Sequence, residues 1–234
     1  MLSEAFDALK QYDWGTDREP LKPIEDAVAA CHGNDDARKK LENDLLSALA
    51  SDISRDAKDY VCRKLAIIGS TTSIPVLSKL LVVENHSHMA RFALERIPGA
   101  ESAKALLEAL SSASNQFKVG IISSIGSRRD EAAVAKLATF ISDNDSGVAR
   151  AAAHALGQIG SAEAAKALQV AKSSSAPVMN SILDAQLTCA EALLANGRTV
   201  DAKNIYQSLS NDQQSKLVRL AATRGLLTCA AKNV

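Results

Sequence analysis

The sequence predicts an all-α fold, a right-handed α-solenoid (superhelix) of about seven antiparallel helix pairs. Three observations support this prediction. Apolar residues recur at helical spacing from one end of the chain to the other, and no segment has the alternating pattern of a strand. One sequence motif recurs at a nearly fixed interval along the chain. The expected core between helices is rich in alanine, which lets neighbouring helices approach closely.

The recurring motif ends one helix, passes through a polar turn and starts the next helix. Its anchor residues follow one another at intervals of 28 to 31 residues and are Ile68, Ile97, Ile125 and Leu156. In "DNDSGVARAAAHALGQIG", Asp145 is the expected N-cap, and Gly157 and Gly160 mark the expected end of the helix. Alanine loses no side-chain entropy in a helix, so here it sets the spacing between helices.

In chain order, we predict one domain over residues 1–234. It comprises capping pairs at 1–54, core repeats at 55–170 and C-terminal repeats at 171–234. Near the start, Pro20 and Pro23 suit a first helical turn. Near the end, "SAPVMNSILDAQLTCAEALLANG" predicts a long helix that Gly197 ends.

Trp14 lies in the first turn between helices, next to Gly15. The main interpretation is a cap that shields the end of the core, because terminal repeats need one. The alternative is an anchor for a binding partner, because Trp is favoured in interface hot spots.

Composition narrows the classes of function. The chain has 27 basic and 27 acidic side chains, which argues against a general affinity for nucleic acid or anionic membranes. The start of the chain lacks the pattern of a signal peptide, and no apolar run is long enough to span a bilayer. We therefore expect a cytoplasmic protein, or a soluble domain cut from a larger one.

The cysteines are widely spaced and lie in helical apolar patterns, so we expect them to be small buried hydrophobes. They are Cys31, Cys62, Cys189 and Cys229.

His86 and His88 could suggest a metal site. However, they are two positions apart, and on a helix their side chains would point in different directions. We predict no metal, no cofactor and no catalytic residues, since no nucleophile or phosphate-binding motif is present.

The segment "DNDSGVARAAAHALGQIGSAEAAKALQ" resembles a HEAT-type repeat, of the short bacterial variety also found in phycobilisome lyase subunits. The segment "AEALLANGRTVDAKNIYQSL" resembles the tetratricopeptide repeat. The first resemblance implies a generic protein-binding scaffold. It also implies a ladder in which a turn aspartate pairs with a helical arginine of a neighbouring repeat; the arginines are Arg63, Arg91 and Arg150.

The polar stripe on the second helices is either the partner-binding concave face or a solvated face. The candidate partner-binding residues are Arg63, Arg91, Glu95, Lys118, Arg150, His154 and Trp14. Arg91 and Glu95 also have the spacing of an ion pair within one helix.

The predicted function is a non-enzymatic scaffold that binds a protein or peptide along that concave face. The alternative, implied by the lyase resemblance, is a subunit of an enzyme that attaches or removes a bilin chromophore. The low aromatic content, 3%, counts against this alternative. A third interpretation, a HEAT-like DNA-base glycosylase, needs a basic groove, which the zero net charge disfavours.

Overall fold

The computed structural model describes residues 1–231, and within that range every regular element is helical. Short 3-10 helices precede three of the α-helices, at Glu19–Leu21, Thr71–Ser73 and Glu131–Ala133. The fourteen α-helices of residues 1–231 are α1 (Leu2–Gln11), α2 (Lys22–Ala30), α3 (Asp35–Leu49), α4 (Arg55–Ile68), α5 (Ile74–Leu80), α6 (Ser87–Arg96), α7 (Ala100–Ser112), α8 (Asn115–Arg128), α9 (Val134–Phe140), α10 (Ser146–Ile159), α11 (Ala162–Val170), α12 (Ala176–Ala195), α13 (Thr199–Leu209) and α14 (Lys216–Ala231).

These helices form the seven predicted pairs, each with an odd-numbered first helix and an even-numbered second helix. The all-α prediction is confirmed. The chain divides into two compact units, Met1–Ile121 and Ile122–Val234, with the boundary inside α8. Within the first unit, α4 packs against α3, α2 and α6. Within the second, α10 packs against α9, α11 and α12, so second helices contact their successors in both units. The handedness of a superhelix and the single domain stay predictions.

Leucines at repeat spacing build the core of the first helices. Leu77 and Leu106 are fully buried in the first unit, and Leu137 and Leu168 are fully buried in the second. Each buried leucine contributes about 1.5–3 kcal/mol relative to an exposed one. The four anchor residues named from the sequence are also buried, as the recurring motif predicts.

Glycine and alanine bring the second helices of the second unit close together. A Cβ atom added to Gly126 would lie 2.8 Å from the Cα atom of Ala155, and one added to Gly157 would lie 3.0 Å from the Cα atom of Ala185. The backbones of α8, α10 and α12 therefore approach at positions where no side chain separates them. This close approach is the role predicted for alanine.

The ends of α10 confirm one expectation and correct another. Asp145 is the N-cap, and its carboxylate accepts hydrogen bonds from the backbone N–H groups of Gly147 and Val148 at 2.8 and 3.2 Å. The helix continues through Gly157 to Ile159 and ends at Gly160, which has a φ of 65°. Gly157 is therefore not a stop signal, because its missing side chain serves packing inside the helix.

A buried carboxylate links α3 to the start of α5. Glu42 accepts hydrogen bonds from the backbone N–H of Ser70 at 2.7 Å and from the hydroxyl of Ser73 at 2.6 Å. The hydroxyl of Ser70 also donates to both carboxylate oxygens. Glu42 thus satisfies donors at the N-terminus of the following first helix.

No helix within residues 1–231 is long and apolar enough to cross a bilayer.

Candidate binding surface on the second helices

An aromatic ring held between two arginines is the central feature of the exposed side of α4 and α6. The guanidinium carbon of Arg96 lies 3.7 Å from the ring centroid of Phe92, and that of Arg63 lies 5.2 Å from the same centroid. Both arginine side chains are about half exposed, at 53% for Arg63 and 47% for Arg96. Stacking on the ring holds two cations at the surface in a defined arrangement.

Neighbouring groups fix each of these arginines. The Nε atom of Arg63 donates to the carboxylate of Asp59, one turn earlier in α4, at 2.7 Å. One Nη atom of Arg96 donates to the backbone carbonyl of Phe92 at 3.0 Å and lies 3.7 Å from the carboxylate of Glu95. The two guanidinium groups are therefore oriented before any partner arrives.

Arg91 connects α6 to α8. It donates to the backbone carbonyl of Gly120 at 3.1 Å, and a Cβ atom on Gly120 would lie 2.6 Å from its guanidinium carbon. The absence of a side chain at Gly120 thus makes room for the guanidinium. Burial lowers the pKa of Arg91, while the nearby charge of Glu95 opposes that shift. One Nη atom of Arg91 also lies 3.4 Å from Nδ1 of His88.

The remaining candidates lie on α8 and α10. Lys118 donates to the side-chain oxygen of Asn115 at 3.1 Å, within α8. Arg150 on α10 donates from Nε to the hydroxyl of Ser181 on α12 at 3.2 Å. His154 is exposed one turn after Arg150.

The three arginines of the expected ladder do reach the next second helix, but through partners that the resemblance did not imply. Arg63 contacts the ring of Phe92, Arg91 contacts a backbone carbonyl, and Arg150 contacts a serine. The carboxylate bound by Arg63 belongs to its own helix, and no turn aspartate within residues 1–231 pairs with Arg63 or Arg150. The same arginines can therefore link neighbouring repeats and also contact a ligand.

Trp14 does not shield the core. Its side chain is 87% exposed, and the first turn between helices is closed by hydrogen bonds among Asp13, Trp14 and Thr16. The nearby Tyr12 packs instead against Tyr60 of α4, with ring centroids 6.1 Å apart. The interpretation of Trp14 as a cap is therefore wrong, and a contact with a partner stays a prediction.

The cysteines are free and buried, as predicted. Burial raises the pKa of Cys62 to about 12 and that of Cys189 to about 11, so these thiols stay protonated and weakly nucleophilic at neutral pH. Among residues 1–231, no three His, Cys, Asp or Glu side chains gather as a metal site would require. His86 caps α6 without a side-chain hydrogen bond, and burial lowers its pKa, with smaller contributions from Lys58 and Arg55.

Two grooves are lined by residues other than those around Phe92. One, of about 560 Å³, lies between α1 and α3, and its lining includes Leu2, Phe6 and Ala48 together with charged residues. The other, of about 320 Å³, lies between α12 and α14, where the ring of Tyr206 packs directly onto Gly225.

Phe92, Arg96 and Ile67 are not among the residues predicted from the sequence. Phe92 and Arg96 lie one turn apart on α6, and the side chain of Ile67 is 69% exposed, one turn after Arg63 on α4. The signal in the sequence that could have indicated them is Phe92, which follows Arg91 and precedes Arg96 by four positions. That spacing does not reveal which residue of α4 faces the ring.

The family model of HEAT repeats matches residues 103–185 of the chain. No curated protein matches it. Human deoxyhypusine hydroxylase in complex with glycerol is 18% identical, with a TM-score of 0.46 over 80% of this chain and 96% of that one. An engineered protein of known crystal structure is 20% identical, with a TM-score of 0.44 over 97% of this chain and 68% of that one. The family match supports a HEAT-like repeat protein; the phycobilisome-lyase type and the tetratricopeptide-like end stay predictions.

Proposed function

We propose that the chain is a non-enzymatic interaction module that binds a protein or peptide on the exposed face of its second helices. The observation that carries this proposal is the ring of Phe92, held at the surface between Arg63 and Arg96. Arginine and aromatic side chains are enriched in protein interfaces, and here neighbouring groups already fix their orientation. Binding therefore costs less entropy of ordering these side chains than it would if they were mobile.

The stacked second helices support a binding surface that extends over more than one repeat. Contacts between successive second helices occur at Arg63 in the first unit and at Arg150 in the second. HEAT repeats generally mediate protein interactions, and extended surfaces of this kind achieve affinity through area and shape. A cytoplasmic location is part of the proposal, because four free thiols suit a reducing compartment.

Site-specific photo-cross-linking tests the proposal. A photoreactive benzoylphenylalanine replaces Ile67 on α4, and in a second variant it replaces Glu108 on the first helix α7. Ile67 and the side chain of Glu108 are both well exposed. A third variant carries the probe at Ala151 on α10. After irradiation in a lysate of the source organism, we expect specific protein adducts from the second-helix positions that are absent from the Glu108 control. The same adducts from Glu108, or none from Ile67 and Ala151, would contradict the proposal.

The bilin-handling alternative remains a separate prediction with its own test. Titration of the protein with a linear tetrapyrrole, followed by absorbance, would reveal a saturable red or blue shift if the chain held the chromophore. An unchanged absorbance spectrum would contradict the bilin-handling alternative.

A further inference from the structure

Charge is unevenly distributed within the first unit. Residues 1–121 contain 15 basic and 18 acidic side chains, so the unit as a whole is slightly acidic. Among the second helices of this unit, α4 and α6, with residues 115–121 of α8, reverse this balance and hold seven basic and three acidic side chains, whereas α2 holds one basic and two acidic ones. The rest of the unit then holds eight basic and 15 acidic ones. A positive surface on an acidic unit favours a negatively charged partner at that surface and disfavours it elsewhere.

The two arginines beside Phe92, Arg63 and Arg96, each have unused hydrogen-bond donors. Arg63 uses Nε for Asp59, and its two Nη atoms donate to no side chain or carbonyl within residues 1–231. Arg96 uses one Nη atom for the carbonyl of Phe92, and its Nε and second Nη likewise donate to nothing in the described chain. A guanidinium group with two free N–H groups matches the two oxygens of a carboxylate.

Apolar surface lies beside these cations. Ile67 is 69% exposed, one turn after Arg63 on the same helix, and Phe92 beside the arginines is partly exposed. A purely ionic ligand would leave this surface in water. A ligand that carries both carboxylates and apolar side chains would cover it.

Carboxylates among the cations favour a polypeptide over a nucleic acid. Asp59 and Glu95 lie beside Arg63 and Arg96 and would repel a continuous row of phosphates. In a peptide, the negative charges are separated by neutral residues. Its backbone N–H groups can also donate hydrogen bonds to the carboxylates of Asp59 and Glu95. The zero net charge of the chain also gives no general attraction to nucleic acid.

We propose that the exposed face of α4 and α6 binds an acidic peptide segment of a partner protein. Carboxylates of the segment bind the free N–H groups of Arg63 and Arg96, and apolar side chains of the segment cover Phe92 and Ile67. This inference rests on the proposed function and names the chemistry of the partner at that surface.

Fluorescence anisotropy with defined probes tests the inference. The probe is a labelled pool of peptides of about twelve residues, with Glu at every third position and Leu, Tyr, Ser or Gly elsewhere. Matched pools carry Gln or Lys in place of Glu, and a labelled single-stranded oligonucleotide is the nucleic-acid probe. The variant Arg63→Gln/Arg96→Gln removes the two cations. The control Lys79→Gln/Lys104→Gln removes the same charge from the first helices α5 and α7 of the same unit.

We expect saturable binding of the Glu pool that weakens as salt rises, because exposed charges are screened. The Gln pool and the double arginine variant should each bind about tenfold more weakly, and the double lysine control should differ by less than about twofold. Circular dichroism verifies that each variant is folded. Equal binding by the arginine variant, equal binding of the Glu and Gln pools, tighter binding of the oligonucleotide, or no binding would overturn the inference. If peptide binding fails while Ile67 still cross-links to proteins, only the acidic chemistry is wrong; if both fail, the proposed function fails too.

Discussion

The contact between Gly157 and α12 gives a substitution whose effect on stability changes sign with tertiary packing. In an isolated helix, Gly157→Ala would stabilise by about 0.8–1 kcal/mol, because alanine has the higher helix propensity. In the folded protein, the new Cβ atom would lie 2.9 Å from the carbonyl oxygen of Ala185 and 3.0 Å from its Cα atom. These are backbone atoms, so no rotamer change relieves the contact, and α10 and α12 must move apart.

The magnitude follows from the two opposing effects. Overpacking a tightly packed core costs about 1–3 kcal/mol. Subtracting the gain in helix propensity leaves a net loss of about 0–2 kcal/mol in the free energy of unfolding. For a protein of this size, a loss at the upper end lowers Tm by up to roughly 8 °C.

Equilibrium urea unfolding followed by far-UV circular dichroism measures this loss. The control is Ala151→Gly on the same helix, at a half-exposed position, which isolates helix propensity and should cost about 1 kcal/mol. Stabilisation by Gly157→Ala, equal in size to the loss in the control, would refute the reasoning. That result would mean that α10 and α12 are not in close contact at this position.

Two further stability predictions come from charged side chains. Glu42→Ala should lower the free energy of unfolding by about 3 kcal/mol in urea titrations, because it leaves the buried hydroxyl of Ser73 and the partly buried donors of Ser70 without their acceptor. Glu42→Gln should lose less, and a loss below about 1 kcal/mol for the alanine variant would contradict this role. The pKa of Glu25 is lowered from 4.5, chiefly by its hydrogen bond with Lys64 at 2.9 Å, so the unfolded chain binds that proton more tightly than the folded one. The contribution of Glu25 is therefore present above pH 4.5 and lost as pH falls through the lowered pKa: Glu25→Gln should cost less than about 1 kcal/mol at pH 7, since the carboxylate is half exposed, and nothing below that window. A cost that stayed constant from neutral to strongly acidic pH would show that the ion pair is not its source.

Local sequence patterns were sufficient wherever the responsible contacts lie within one helix or one turn. The N-cap at Asp145 is one such case, since its carboxylate binds N–H groups two and three residues later. The burial of the anchor residues and of the cysteines also follows from helical periodicity alone. Glu42 was missed although it lies between buried leucines in "KKLENDLL", a position that already places it on the buried side of α3.

The candidate site could be predicted only in part. The sequence placed Arg63 and Arg91 on exposed faces of second helices, but it implied turn aspartates as their partners. In the fold, Arg63 turns to Asp59 and Phe92, and Arg91 lies over Gly120. These partners depend on the register between neighbouring helices, which a pattern within one helix does not specify.

By itself, the sequence determined that this protein is all-α and built from seven repeated helix pairs, because the periods of its apolar residues and of its repeats are local properties. Tertiary structure alone decided that Gly157 is a packing site, that Trp14 stands in solvent and that Phe92 is held between two arginines. The contacts of Gly157 with Ala185 and of Phe92 with Arg63 join helices that are about 30 residues apart in the sequence. At such contacts a difference of a few tenths of an ångström between backbones, or one rotamer, determines which side chain is buried and which is exposed.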